Sequence, residues 1–340
     1  ANVCVCEDCG FVQIHYNSCR NRCCPMCQAV PKEMWMAARR EDVLDAPYFH
    51  LVFTVPDILN PVIYSNQRLL YDALYHAASS TISELTADPK HLGAKVGYIC
   101  ILHTWGSEMN FHPHIHTILL GGGLASNNQW KDNGENFFLP IRVISKVFRG
   151  KYLEELKRLW KEDKLVFHGT AEKVRNHYTF KELLDSCYGM DWIPNCKKTF
   201  NGAKTVIKYL GKYTHRIAVS NHRTVRMDDD TVTFLVKDYR NEGQWKELTI
   251  SGVEFVRRFL MHVPPKRFVR IRHYGLLCSR TKSQKLTLCR NLLGCKKYLS
   301  KLRDMEMPEI LEHLYGIKVC VCKACGGHLG KPQMRMPLRY

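Results

Sequence analysis

Two histidines, His114 and His116, occupy alternate positions at the start of an apolar run in this 340-residue chain. The run is typical of a β-strand, in which alternate side chains share a face. Both imidazoles then point the same way, and Ile115 points to the opposite face. A divalent ion held by such a pair would act as a Lewis acid on a scissile phosphate and orient it for in-line attack. The pair therefore predicts metal-dependent phosphate chemistry, and the alternative is a hydrogen-bonded core histidine.

His112 lies on the same face as this pair, which gives the pattern H-x-H-x-H. That pattern is also the motif of the histidine-triad nucleotide hydrolases, in which one histidine attacks a phosphate. Pro113 disfavours this alternative because a proline restricts the residue before it. The domain of those hydrolases is also much smaller than this chain.

Two tyrosines, Tyr209 and Tyr213, are four residues apart and share one face of a helix predicted over 203–219. Their neighbours are basic: Lys204, Lys208, Lys212, His215 and Arg216. A tyrosine hydroxyl, with an ordinary pKa of about 10, needs a cationic or metal-rich setting to attack phosphate. A tyrosine pair alone more often packs or stacks on bases. Together with the upstream histidines, it predicts a tyrosine nucleophile, with Lys212 as part of the catalytic set.

The chain has sixteen cysteines, and seven of them lie within the first 27 residues. In a long basic chain without an export signal, such cysteines favour thiolate–metal chemistry over disulfides. Two C-x-x-C knuckles, Cys6 with Cys9 and Cys24 with Cys27, supply the four thiolates of a tetrahedral zinc site. Cys19 is an alternative to one of these four ligands.

A further knuckle, Cys322 with Cys325, lies near the C-terminus, with Cys320 and His328 close by. One knuckle supplies two ligands, whereas a structural zinc ion takes four. The knuckle therefore predicts a second zinc site whose other ligands come from elsewhere in the chain.

The elements that must position these residues follow from apolar periodicity and from Gly and Pro positions. The predicted strands are a run from Tyr48 that Pro56 closes, 96–105, and 114–120, which Gly121-Gly122-Gly123 ends; the predicted helices are 31–45, 66–86, 151–163 and 203–219; and a hairpin or small sheet is predicted over 223–250. The pattern indicates an α+β fold with a central antiparallel sheet.

Charge indicates the class of partner. The chain has 50 Lys+Arg against 32 Asp+Glu, a net charge of +18, which is typical of nucleic-acid binding. A composition with 45% hydrophobic and 24% charged residues excludes a disordered tail or a fibrous repeat. The sequence has neither a long apolar span nor a secretory signal, so we expect a soluble, cytoplasmic protein without a membrane partner. Because residue 1 is Ala and not Met, the sequence leaves open whether further residues precede it.

The segment 266–303 contains twelve Lys or Arg residues and no Asp or Glu, with aromatic residues interleaved. Such a run favours phosphate contacts, with base stacking worth about 1–3 kcal/mol for each aromatic residue. A solvated basic face is the alternative. The candidate DNA-binding residues are Arg216, Lys266, Arg267, Arg270, Arg272, Arg280, Lys282 and Lys285.

Seven stretches occur together in one order, and they extend over nearly the whole chain. They are Cys6-x-x-Cys9-Gly10, the run from Asn17 to Gln28, Leu102-His103-Thr104-Trp105-Gly106, His112-Pro113-His114-Ile115-His116, the run from Tyr209 to Arg216, Lys237-Asp238-Tyr239-Arg240, and the run from Arg272 to Leu277. In this order the stretches resemble the HUH-nuclease transposases of the insertion-sequence 91 family, which move single-stranded DNA by a rolling-circle route.

The resemblance implies an HUH endonuclease core in which His114 and His116 hold Mg²⁺ or Mn²⁺. One tyrosine, Tyr209 or Tyr213, would attack a phosphodiester and leave a 5′-phosphotyrosine and a free 3′-OH. In members with two tyrosines, the other residue handles a second cleavage or the strand transfer.

The resemblance also bears on two ligand assignments. HUH enzymes usually have a third metal ligand, and His103, on the strand before the histidine pair, is the candidate, with His112 as its competitor. The family pattern commonly has His at the position of Cys23, so Cys23 is expected to serve as a zinc ligand if that His is one.

We therefore expect three regions: a zinc-binding module with a linker helix at 1–45, an HUH catalytic domain at 46–222 with a helical insertion at about 124–200, and a C-terminal β and basic DNA-binding region at 223–340. The implied function is cleavage and rejoining of single-stranded DNA at hairpin-bearing transposon ends, with Zn²⁺ as a structural ion. A plasmid rolling-circle replication initiator or relaxase is an alternative with the same chemistry. A non-catalytic, zinc-containing DNA-binding protein is an alternative of another class.

Overall fold

The computed structural model describes residues 2–16, 19, 21, 24, 27–133, 139–192, 194–200, 206, 211, 218–238, 241–330 and 334–335. The strands of this part of the chain are β1 (Asn2–Val5), β2 (Val12–His15), β3 (Tyr48–Thr54), β4 (Lys95–Trp105), β5 (Phe111–Leu124), β6 (Trp130–Asp132), β7 (Asn195–Phe200), β8 (Thr224–Met227), β9 (Thr231–Asp238), β10 (Gln244–Ser251), β11 (Ile271–Gly275) and β12 (Met334–Arg335). Its helices are α1 (Ala29–Asp42), α2 (Asn60–Ser65), α3 (Gln67–Ala87), α4 (Ile141–Lys161), α5 (His177–Gly189), α6 (Gly252–Met261), α7 (Lys282–Leu293) and α8 (Met307–Tyr315), with short 3₁₀ helices at Asp57–Leu59, Gly169–Val174 and Asn221–Arg223. Among these helices, none combines the length and the apolar character that crossing a bilayer requires.

The chain divides into two compact units, one formed by Ala1–Glu41 with Tyr298–Tyr340 and the other by Asp42–Lys297. The larger unit is built on an antiparallel sheet in the order β11-β4-β5-β3-β7, with β6 paired to the end of β5. This sheet confirms the predicted α+β class with a central antiparallel sheet. β4 and β5 are its longest strands, and they form a hairpin at its centre.

One face of the central sheet packs against α3 and α4. In β3, Phe49, Leu51 and Phe53 are fully buried in this packing. Strand side chains alternate between faces, so the residues between them, His50 and Val52, lie on the opposite face. The apolar alternation of β3 therefore determines which face is left for polar side chains.

Helix α4 covers the sheet because its apolar residues recur at helical spacing. Leu153, Leu156 and Leu159 are buried, and the helix, predicted over 151–163, begins at Ile141, earlier than expected. On the same helix, the Phe148 ring lies 4.9 Å from Phe53 and 5.5 Å from Trp192, measured between ring centroids.

The glycines at 121–123 do not end the strand, as the sequence predicted; β5 continues through them to Leu124. Instead, they allow the neighbouring strands β4 and β6 to approach β5 closely. A Cβ atom on Gly123 would lie 2.4 Å from the carbonyl oxygen of Lys95, and one on Gly122 would lie 2.4 Å from the Trp130 ring. Side chains at these two positions would therefore push away the strands on either side.

A second, three-stranded sheet in the order β10-β9-β8 confirms the small sheet predicted over 223–250. Helix α6 packs on it through Phe255 and Phe259. The same apolar cluster includes Trp105 and Met109 at the end of the central hairpin. The small sheet is therefore packed against the turn end of the β4–β5 hairpin.

The smaller unit joins the two ends of the chain. Its sheet has the order β12-β1-β2, and an isolated bridge pairs Cys6 with Leu329. This arrangement differs from the predicted regions 1–45, 46–222 and 223–340. Residues 223–297 belong to the larger unit, because β11 pairs with β4, and residues 298–340 belong with the N-terminal segment.

We expect Phe148→Ala to lower the free energy of unfolding by about 3–5 kcal/mol, because the side chain is fully buried between Phe53 and Trp192. Denaturant unfolding followed by circular dichroism measures this loss. Tyr178→Ala, which removes a 75% exposed ring on α5, is the matched control. Equal losses in the two variants would contradict the assigned core.

Candidate active site

Three buried imidazoles meet on the face of the central sheet that the main helices leave free. In the β4–β5 hairpin, His103 lies directly opposite His114, so their side chains share a face, and His116 lies two residues further along β5. The nitrogen atoms that the three rings offer to a metal all lie within 4.8 Å of one another. We call these three residues the histidine cluster.

The spacing within the histidine cluster suits a shared cation. Nε2 of His114 lies 3.1 Å from Nε2 of His116. Two nitrogens bound to one ion at about 2.1 Å, with a right angle between the bonds, are about 3 Å apart. The donor set therefore fits a metal ion on geometric grounds.

Hydrogen bonds to the outer ring nitrogens orient two members of the cluster. Nδ1 of His114 donates to the carbonyl of His112 at 2.7 Å, which leaves the Nε2 lone pair available in the neutral ring. Nδ1 of His116 lies 2.8 Å from Nε2 of His50, so one proton is shared between these nitrogens. With the proton on His116, its Nε2 keeps a lone pair as well. Metal-binding histidines are oriented in this way by carbonyls and other acceptors.

A local irregularity in β5 aims these side chains. The register between β4 and β5 shifts between His103 and Trp105, so β5 carries one extra residue near Pro113. A proline lacks the N–H that a strand ladder requires and is therefore accommodated at a bulge. His112 falls within this irregular stretch and does not join the cluster; its Nδ1 lies 3.4 Å from Asp57 Oδ1.

A cavity of about 330 Å³ opens onto the histidine cluster. Besides the three histidines, it is lined by residues of β3, of β4 and β5 with the turn between them, of the 3₁₀ helix Asn221–Arg223, and of the small sheet: Val52, Thr54, Trp105, Gly106, Ser107, His112, Arg223, Lys237 and Trp245. Its cationic residues, within the described part of the chain, are Arg223 and Lys237.

These two cations are held differently. The buried guanidinium of Arg223 donates to the carbonyls of Ser107 and Leu235 at 2.6 Å. Nζ of Lys237 lies 5.3 Å from the centre of the Trp245 ring, in a cation–π contact. Trp245 is half exposed. The cavity therefore combines a candidate metal site with fixed positive charge and an accessible aromatic face.

Another buried histidine, His262, holds the turn that leads into the cavity. Its Nε2 donates to the carbonyl of Met109 at 3.0 Å, and Nδ1 accepts from the Thr104 hydroxyl at 3.2 Å. Burial lowers the pKa of His262 to about 4. The ring is therefore neutral at pH 7, and it has a structural part in the site.

The proposed nucleophile segment lies outside the described residues: Tyr209, Lys212, Tyr213 and Arg216 are all in 207–210 or 212–217. Val206, within the helix predicted over 203–219, is buried.

The basic run does not line the histidine cavity. Arg272 forms an ion pair with Asp72 and packs over the Tyr75 ring, and Lys282 lies 2.9 Å from a carboxylate oxygen of Asp42. Both of these side chains thus already have carboxylate partners. The other candidates differ in exposure: Lys266, Arg267 and Arg280 are exposed, whereas Arg270 and Lys285 are half-buried.

Among the described residues, seven cysteines form two clusters, and the cysteines of the predicted zinc site are divided between them. Cys6 and Cys9 lie together with Cys322 and Cys325, whereas Cys24 and Cys27 lie with Cys19. The four cysteines Cys6, Cys9, Cys24 and Cys27 therefore do not form one site. The antiparallel pairing of β1 with β12 brings the C-terminal knuckle to the first knuckle instead.

The second cluster contains three cysteines among the described residues. The sulfur atoms of Cys19 and Cys27 are 3.3 Å apart, and Cys24 lies within reach of both. Three thiolates leave one position for a fourth ligand. Cys23, the ligand expected from the sequence, lies outside the described residues.

Sequence reasoning missed four residues of this site: His50, Arg223, Lys237 and Trp245. Lys237 belongs to one of the stretches that resemble the family. His50 is a polar residue within an otherwise apolar predicted strand. A buried polar side chain needs a partner, so His50 was a detectable signal.

Two family models and two relatives match this chain over long ranges. Residues 97–285 match a family model described as "Putative transposase", and residues 1–55 match one described as "Transposase zinc-binding domain". The Sinorhizobium fredii protein "Putative transposase y4qJ" is 40% identical over 323 residues, which cover 94% of this chain and 81% of that protein. The "Transposase for insertion sequence element IS801" of Pseudomonas savastanoi pv. phaseolicola is 32% identical over 283 residues, which cover 82% of this chain and 66% of that protein.

Likeness to solved structures is weak. A structure of the conjugative relaxase TrwC in complex with oriT DNA is similar with a TM-score of 0.27 and 14% identity, over 48% of this chain and 71% of that chain.

The family models and the two relatives define a class of enzyme that moves DNA segments. The chain belongs to the insertion-sequence 91 family of transposases, which confirms the resemblance drawn from its motifs.

We expect the buried His262 to make the protein less stable in acid. Its folded pKa of about 4 lies below the ordinary value of 6.5, so the unfolded chain binds the proton more readily. This contribution is complete above pH 6.5 and declines as the pH falls to 4, by up to about 3 kcal/mol. Urea unfolding at several pH values should show a shallower decline for His262→Gln, whose amide can still donate to Met109. Identical pH slopes in the variant and the parent would contradict the assignment.

Proposed function

We propose that this transposase cleaves and rejoins single-stranded DNA at the ends of an insertion sequence, with a divalent ion held by His103, His114 and His116 and with Tyr209 or Tyr213 as the nucleophile. The observation that carries the proposal is the convergence of three buried imidazoles on a cavity that also contains fixed positive charge. Family membership supports transposition over replication initiation or conjugation, which would use the same chemistry.

The donor set bears on the choice of metal. Imidazole nitrogen is a common ligand of transition metals, whereas Mg²⁺ prefers oxygen ligands and retains several waters. Of the two ions expected, we therefore favour Mn²⁺. When bound, the ion would supply Lewis-acid polarisation of the scissile phosphate.

The chain's own tyrosine would carry out the exchange of bonds at phosphorus. The tyrosine oxygen forms a bond to phosphorus as the bond from phosphorus to the 3′ oxygen breaks, which gives a 5′-phosphotyrosine and a 3′-hydroxyl. The proton lost by the phenol balances the proton gained by the 3′ oxygen. Rejoining is the reverse reaction, in which the 3′-hydroxyl of another strand attacks the phosphotyrosine and releases the enzyme.

The remaining lining residues would position the strand. The guanidinium of Arg223 is fixed by backbone carbonyls, so its charge would meet a phosphate without reorganisation. The Trp245 ring would stack on a base, and Lys237 would contact a phosphate beside it. This arrangement favours an unpaired strand, because a base within a duplex does not offer its face to a side chain.

We expect a covalent protein–DNA adduct when the protein is incubated with Mn²⁺ and labelled single-stranded DNA from an element end. A denaturing gel detects the adduct, and peptide mapping identifies the modified residue. His116→Ala should abolish the adduct because it removes a metal ligand, and Tyr209→Phe or Tyr213→Phe should lower it by at least about 10²-fold if that residue is the nucleophile. Tyr178→Phe, at an exposed tyrosine of α5, is the matched control.

An adduct that persists when both Tyr209 and Tyr213 are replaced by Phe would overturn the nucleophile assignment. Binding of the same DNA without any adduct, in the presence of metal, would instead support the non-catalytic alternative.

We expect Trp245→Ala to weaken single-stranded DNA binding by about 1–3 kcal/mol, or about 5- to 150-fold in Kd, because it removes a stacking surface. Lys237→Ala should lower the slope of log K against log salt concentration by about 0.7, the value for one phosphate contact on a single strand. Fluorescence anisotropy over a range of salt concentrations measures both effects. Lys164→Ala, which removes a cation paired with Glu162 at 2.7 Å, serves as the control; equal effects at Lys237 and Lys164 would argue against a strand in the cavity.

A further inference from the structure

Four thiols from the two ends of the chain lie at the distances of a shared metal site. The sulfur of Cys6 lies 3.6 Å from that of Cys325, and the sulfur of Cys9 lies 3.7 Å from that of Cys322. A tetrahedral zinc ion with Zn–S bonds of about 2.3 Å has sulfur–sulfur edges of about 3.8 Å. A disulfide would bring two sulfurs to about 2.05 Å.

The two knuckles also have the same local geometry. In each, the glycine after the second cysteine donates its N–H to the carbonyl of the first cysteine at 3.0 Å, from Gly10 to Cys6 and from Gly326 to Cys322. Both glycines have positive φ, 69° and 78°, which a residue with a side chain adopts only with strain. Both knuckles therefore contain the same backbone turn, and each turn carries a pair of cysteine sulfurs.

Backbone amides are aimed at the C-terminal sulfurs. The N–H of Ala324 donates to the sulfur of Cys322, and the N–H of Gly327 donates to the sulfur of Cys325, both at 3.4 Å. Such contacts favour the thiolate, which is the form that binds a metal.

Backbone pairing alone brings the ends together, so the ligands are already in position. Asn2 and Val3 pair with Arg335 and Met334, and the N–H of Gly330 donates to the carbonyl of Val5 at 3.2 Å. The buried core at this point is small: Cys4, Cys6, Cys322 and Leu329. A core of this size supplies little apolar burial, and small modules of this kind usually depend on a metal or on disulfides.

We propose that Cys6, Cys9, Cys322 and Cys325 form one structural Zn²⁺ site, which ties the N-terminal segment of the chain to its C-terminal segment. Four thiolates close the coordination sphere, so the site is structural rather than catalytic. It is separate from the cluster of Cys19, Cys24 and Cys27, and it makes the N-terminal module dependent on residues more than three hundred positions away. The proposal is independent of the DNA chemistry at the histidine cluster.

The test is the zinc content of the purified chain and of four variants, measured by mass spectrometry of the metal. Cys6→Ser with Cys9→Ser, and Cys322→Ser with Cys325→Ser, should each remove one zinc ion per chain. The variant with all four substitutions should also lose one ion and no more. Cys278→Ser, at an exposed cysteine outside both clusters, should lose none.

A loss of two ions in the fourfold variant would show that the two knuckles serve different sites and would overturn the proposal. Iron in place of zinc would overturn the choice of metal and with it the proposal.

A measurement on the unaltered protein covers the case in which these variants do not fold. Alkylation mapped by peptide mass spectrometry should find all four cysteines protected in the zinc-loaded protein and all four reactive after chelation. Reactive Cys322 and Cys325 beside protected Cys6 and Cys9 would contradict a shared site. Adduct formation with DNA, measured on the same samples, reports separately on the function proposed for the histidine cluster.

Discussion

The register between β4 and β5 is the constraint on which the candidate active site depends. Side chains in a strand alternate between faces, so a slip of one residue would move His114 and His116 to the helical face and Ile115 to the cavity. The register is fixed by the apolar residues packed against α3 and α4, and by the turn between the strands, where the N–H of Gly106 donates to the carbonyl of Asn110 at 3.0 Å. His262 then braces this turn through Met109.

The groups that line the cavity leave its positive charge available to a phosphate. Neutral imidazoles, unlike carboxylates, do not offset the charge of a bound cation. That charge would remain available to a phosphate, together with the charges of Arg223 and Lys237. Burial strengthens these interactions because the local dielectric constant is lower than that of water. The strongly basic composition of the chain would attract DNA over longer distances, whereas these few fixed charges would act at the scissile bond.

The smaller unit is held together by other interactions than the larger one. Its segments come from opposite ends of the chain and bury few apolar side chains, so hydrophobic burial alone gives them little cohesion. Backbone pairing between β1 and β12 aligns the two segments, and the zinc ion proposed at Cys6, Cys9, Cys322 and Cys325 would supply the remaining free energy. Such a unit would gain its stability only after residues 298–340 have been synthesised.

The sequence by itself determined the features that depend on local spacing. Alternation placed His114 and His116 on one face, apolar periodicity located β3, β4, β5 and the second half of α4, and the C-x-x-C motifs at Cys6 and Cys322 marked two knuckles. His103 was predictable because a hairpin is a nearly local structure. Only the tertiary structure decided the partners of distant residues: His50 beside His116, Arg223 and Lys237 in the cavity, and Cys6 with Cys325 at a separation of 319 residues. The physical reason is that periodicity determines which way a side chain points, whereas long-range packing and strand pairing determine what it meets.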